Sequence, residues 1–158
     1  MYLRPLVEGG IMSQFDEVTI LLVEDDPGHA RLIEKNQRRA NVKNRIDHAT
    51  DGQQAVDYLF CEGKYVERQH SSFLLVLLDL NLPVLDGYQV LERMKADERT
   101  KRIPVIILTT TDDSQEVGRC YELGCNVYIT KPVDYDQFSE AMSKLGLLLT
   151  ITMIPDRG

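Results

Sequence analysis

The chain has 158 residues, 43% of them hydrophobic, and its 25 acidic against 18 basic residues give a formal net charge of -7. That length suits one compact domain with a single core. The acidic balance argues against a nucleic-acid clamp and against adhesion to an anionic membrane face, both of which need a basic footprint.

In chain order, residues 1–16 read as a loose arm, residues 17–149 as the folded domain and residues 150–158 as a tail. Apolar, partly β-branched runs at 18–23, 73–78, 105–108 and 127–129 suit strands buried on both faces. A weaker run at 45–49, where Ile46 and His48 flank Asp47, suits a half-exposed edge strand. Amphipathic segments at 27–39, 53–60, 88–95, 115–123 and 135–145 alternate with these strands as helices. Asp26 before Pro27 reads as an N-cap with a first-turn proline, and Asp134 as the cap of the last helix. Residues 61–72 form a longer connection than most. Five β-α repeats require right-handed crossovers and a mostly parallel sheet with helices on both faces, so the expected fold is a doubly wound, flavodoxin-like α/β domain with strand order 2-1-3-4-5.

The longest apolar stretch, at 145–154, is about half the roughly 20 residues a bilayer requires, and Gly146, Thr150 and Thr152 interrupt it. The N-terminus lacks a secretory pattern, so a cytoplasmic protein without membrane contact is expected. Cys61, Cys120 and Cys125 contain no C-x-x-C pair and read as free thiols.

Each of the four buried strands ends in a polar residue with chemistry to offer. Glu24 and Asp25 follow the first, Asp79 the third, Thr109 the fourth, and Lys131 the fifth. In open α/β sheets the binding crevice lies outside the carboxyl ends of the strands, so these side chains converge. With strands 1 and 3 adjacent, Glu24, Asp25 and Asp79 crowd together and must take up a proton or share a cation. A ligand set made only of oxygens suits Mg²⁺, with the Asn81 carbonyl as a further contributor. Lys131 is a point charge for a phosphoryl oxygen and Thr109 a hydroxyl donor. Together they have the chemistry of phosphoryl transfer, with Asp79 as acceptor in an aspartyl phosphate.

The text ILLVEDDP, LLVLLDLNLPVLDGYQVL, IPVIILTT and ELGCNVYITKPVD resembles the CheY-like receiver domains of response regulators in two-component signalling, from residue 18 to about 149. The resemblance implies Asp79 as phosphoacceptor, Glu24 and Asp25 as the metal-binding acids, Asn81 as the carbonyl ligand, and Thr109 and Lys131 as phosphoryl-holding groups. It also implies Tyr128 as a switch aromatic and a cis bond before Pro132. Because the motif is Glu-Asp-Asp, the acidic pair is either Glu24 with Asp25 or Asp25 with Asp26; the former is preferred because Asp26 serves as a cap. The long 61–72 loop and the apolar C-terminal segment resemble the small stand-alone receivers partnered with bacterial phytochrome-type histidine kinases.

A histidine kinase is therefore the implied partner, with output through protein contact and no direct nucleic-acid binding. The surplus of apolar residues in the last helix and tail predicts a homodimer through that region. An aspartate-nucleophile phosphatase of the haloacid-dehalogenase type is the alternative, though Asn81 stands where its second carboxylate belongs. A flavin binder is disfavoured because three acids follow strand 1. His29, His48 and His70 show no ligand spacing and read as surface or edge residues.

Overall fold

The computed structural model describes residues 18–39, 42–68, 74–110, 112–131 and 133–153, with 145–153 as backbone only. Pro132, His70, the 1–16 arm and the last five residues lie outside the described residues.

Five strands, β1 (Thr19–Val23), β2 (Ile46–Ala49), β3 (Leu74–Asp79), β4 (Val105–Thr109) and β5 (Val127–Thr130), form one sheet in the order β2-β1-β3-β4-β5. Every neighbouring pair is parallel. The helices α1 (Pro27–Arg39), α2 (Gly52–Phe60), α3 (Gly87–Ala96) and α4 (Ser114–Leu123) are the crossovers, α5 (Tyr135–Met153) follows β5, and a 3₁₀ turn (Gly63–Tyr65) occupies part of the long connection.

Alternation along the strands divides the core. Leu21, Val23, Val76, Leu78, Val105 and Ile107 pack with α2, α3 and α4 on one face, while Ile20, Leu22, Leu75, Leu77, Ile106 and Leu108 pack with Ile33, Phe138 and Met142 of α1 and α5 on the other. All six residues of β3 are buried, as a strand covered on both faces requires. β2, at the sheet edge, keeps His48 exposed.

Helix starts are set by aspartates. Asp51 accepts from the Gln54 N–H, Asp113 from Gln115 and Asp134 from Gln137, and Asp86 forms a reciprocal capping box with Gln89. α5 is longer than the sequence pattern indicates, continuing from the expected end at 145 to Met153. Gly146 and the β-branched Thr150, Ile151 and Thr152 are weak helix formers. Once nucleated on the packed Phe138 turn, the helix adds one hydrogen bond per further residue, which offsets that weakness.

The candidate phosphoryl-transfer site

Strand register builds the site. Val23 pairs with both Ala49 and Leu78, so Glu24 leaves β1 level with Asp79. Asp79 pairs with Leu108, which sets Thr109 one residue further along, and Thr109 pairs with Thr130, which sets Lys131 one further again. Three carboxylates, one hydroxyl and one ammonium thus meet at the same rim.

Ligand oxygens of Glu24, Asp25 and Asp79 all lie within 4.8 Å of one another, with Glu24 and Asp79 buried and Asp25 exposed at the mouth. Lys131 Nζ lies 2.6 Å from Glu24 Oε1 and 3.3 Å from Asp79 Oδ2. The Lys131 backbone N–H donates to the Thr109 carbonyl at 2.6 Å, which fixes the root of the lysine to β4. Asn36 of α1 donates its side-chain amide to the Val133 carbonyl and so ties the following loop to the helix beside it on the same face of the sheet. Thr109 is fully buried at the strand end.

Burial first, and then the Glu24 charge, push the Asp79 carboxyl up to about 6; Lys131 and the Asn81 N–H, which donates to Oδ1 at 3.3 Å, pull the other way. One ammonium against three carboxylates leaves the cluster with excess negative charge. An all-oxygen, anionic donor set of this kind fits a hard divalent cation.

Asp26 stands apart from the cluster. Its Oδ1 accepts from the Gly28 and His29 N–H groups at 2.8 and 3.1 Å, which hold its carboxyl below the usual range. It is the cap of α1, and the acids that meet Asp79 are Glu24 and Asp25. Glu24 Oε2 in turn accepts from the Asp26 N–H at 3.2 Å.

The loop after β3 turns back tightly enough that glycine is required at its end. A Cβ on Gly87 would lie 2.4 Å from the Asp79 carbonyl oxygen, and the Gly87 N–H donates to Leu80 O at 2.9 Å. A side chain here would push against the backbone that carries Asp79.

Two histidines belong to the site that sequence spacing did not indicate. His29 Nδ1 sits 3.2 Å from Lys131 Nζ, and His48 Nε2 donates to the Glu24 carbonyl at 2.8 Å. Both are at the surface, as expected, but at the rim of the site. The position of His29 in the first turn of α1, just after the acids, was the available signal.

Tyr128, on β5 opposite Ile107, is half-buried against the core on the α2–α4 side. Burial raises its phenol to about 12. Cys120 and Cys125 are buried, Cys61 is half-buried, and all three are free thiols.

This arrangement of strands and acids is that of a response regulator receiver domain, and the model of that family matches residues 20–143. The chain belongs to this family: it is a phosphoacceptor signalling protein of two-component systems rather than a conventional enzyme, which sets aside the phosphatase alternative. The crystal structure of a response regulator receiver domain from Rhodospirillum rubrum is 53% identical, with TM-score 0.70 over 85% of this chain and 94% of that one. The bacteriophytochrome response regulator RtBRR is 38% identical, with TM-score 0.76 over 82% of this chain and 78% of its own. Response regulator Rcp1 of Synechocystis sp. is 38% identical over 112 residues, 71% of this chain and 75% of the relative. Its Mn²⁺-bound crystal form superposes with TM-score 0.70 at 34% identity, covering 84% of this chain and 94% of that one. Among the described residues no helix is long and apolar enough to cross a membrane.

Proposed function

We propose that Asp79 is the phosphoacceptor of this receiver, taking a phosphoryl group from the phosphohistidine of a histidine kinase. The observation that carries the reading is the contact of Lys131 with both Glu24 and Asp79 inside a cluster of three carboxylates. An Asp79 carboxylate oxygen attacks phosphorus, the P–N bond breaks, and its electron pair returns to the imidazole nitrogen. Lys131, already within reach of Asp79, pairs with a phosphoryl oxygen, and Thr109 offers its hydroxyl to another.

Glu24, Asp25, Asp79 and the Asn81 carbonyl are the groups that would hold Mg²⁺. When bound, that ion supplies neutralisation of the charge on the phosphoryl oxygens. The metal bound by Rcp1 supports a divalent cation at such a site.

The new phosphoryl group brings about two negative charges. Drawing Thr109 toward it vacates space beside β5, into which Tyr128 turns, and so biases the α4–β5–α5 face that a target reads. Likeness to RtBRR and Rcp1 supports a phytochrome-type histidine kinase as the cognate donor, in the cytoplasm. A homodimer through α5 and the tail is a further part of this reading, supported by the apolar run at 145–154 and by the helix continuing to Met153. Truncation after Leu145 then yields a monomer in sedimentation, and an unchanged mass would remove the tail from the interface.

The deciding experiment is transfer from a phosphohistidine-bearing kinase to the wild type and to Asp79→Asn. Labelling confined to the wild type is expected. Equal labelling of both removes Asp79 as the acceptor.

A further inference from the structure

The Lys131 ammonium carries three N–H donors and no acceptor. Three acceptors face it: Glu24 Oε1 at 2.6 Å, His29 Nδ1 at 3.2 Å and Asp79 Oδ2 at 3.3 Å. Two of these belong to the acidic cluster, and the third comes from α1. An ammonium can only donate, so Nδ1 is the accepting nitrogen and the ring proton of His29 is on Nε2.

We infer that His29 is a positioning residue for Lys131, supplying the acceptor outside the acidic cluster that holds the ammonium at the pocket while Glu24 turns to a divalent cation. The inference rests on the proposed function, in which Glu24 serves a cation and Lys131 a phosphoryl oxygen. Without a cation both Glu24 oxygens are committed, Oε1 to Lys131 and Oε2 to the Asp26 N–H. A cation drawn to Glu24 competes for the charge that holds Lys131 and so weakens that hold.

The Lys131 side chain is only 6% exposed, so an N–H released by Glu24 finds little water. A buried donor left without a partner is costly, more so when charged. His29 limits that cost: its acceptor is not a candidate metal ligand, so one N–H of the ammonium stays paired even as Glu24 and Asp79 turn to the cation. The ring is placed for the task by its own backbone, whose N–H donates to Asp26 Oδ1 at 3.1 Å. With 44% of its side chain exposed, His29 sits at the mouth of the pocket and can give by small rotations as Lys131 changes partners.

The test is calorimetric Mg²⁺ titration of the full chain, with unfolding in EDTA as a check on folding. His29→Ala is expected to bind Mg²⁺ about fivefold to tenfold more weakly, the scale of one ordinary hydrogen bond. His29→Asn places an amide oxygen where Nδ1 lies and restores most of the affinity. In a Lys131→Ala background His29→Ala has no further effect, because there is no ammonium left to hold. Wild-type affinity in folded His29→Ala, failure of Asn to restore it, or an equal loss in the Lys131→Ala background each overturns the inference. Labelling by phosphoramidate runs in parallel: if wild type and Asp79→Asn label equally the phosphoacceptor reading fails, and the Mg²⁺ comparisons still judge His29 by themselves.

Discussion

Replacing Asp79 by Asn removes a buried charge while keeping nearly the same shape. The Asp79 carboxyl is raised from 3.8 to about 6, chiefly by burial and then by Glu24. At ~1.36 kcal/mol per unit, that rise corresponds to about 3 kcal/mol of penalty on the ionised, metal-free chain. Solvent reaching the cleft past exposed Asp25 screens part of it, leaving about 1–2 kcal/mol. A carboxyl raised in the folded state contributes stability that is complete below the unfolded value and lost as pH climbs through the folded one. The wild type without metal therefore loses this contribution between roughly pH 4 and pH 6, whereas Asp79→Asn does not. Urea or thermal unfolding in EDTA at pH 8 should show the Asn variant more stable by about 1–2 kcal/mol, or about 3–6 °C. The gap should close as pH falls toward 4. Mg²⁺ at tenfold excess over its Kd should return about 1.4 kcal/mol to the wild type and much less to the variant. No gain at pH 8, or a gain independent of pH, would refute the assignment of Asp79 as a strained buried charge.

Other changes probe the rest of the rim. Lys131→Ala strips the cation from two buried carboxylates and should cost the metal-free chain about 2–4 kcal/mol in urea unfolding, a loss that saturating Mg²⁺ narrows; a neutral effect would mean that the ion pair does not hold the site. Gly87→Ala drives a methyl group into the Asp79 carbonyl and should cost about 1–3 kcal/mol while slowing phosphoryl labelling. Asp26→Ala should lower the melting temperature by removing the α1 cap and should weaken Mg²⁺ binding no more than His29→Ala does, through the loosened His29; a larger loss would bring Asp26 into the metal set.

What the sequence disclosed follows physical locality. Buried parallel strands announce themselves as short apolar runs, and the residues at the carboxyl ends of β1, β3, β4 and β5 could be aligned because strand order fixes their register. Glu24, Asp25, Asp79, Thr109 and Lys131 were legible for that reason. The cap at Asp26 was legible because it acts on N–H groups two and three residues away. His29 and His48 were not, since their partners are 102 and 24 residues distant and depend on side-chain reach rather than on order along the strand. The end of α5 was not legible either: Gly146 and Thr150 argue locally for a stop, while continuation depends on turns already packed.

The Lys131–Glu24 contact spans 107 residues and joins the first strand to the last. During synthesis Glu24, Asp25 and Asp79 all emerge before their lysine does. A nascent chain therefore carries the negative half of the pocket without its counter-charge until β5 docks against β4. On the proposed function, the site that accepts a phosphoryl group is complete only once the final strand has docked.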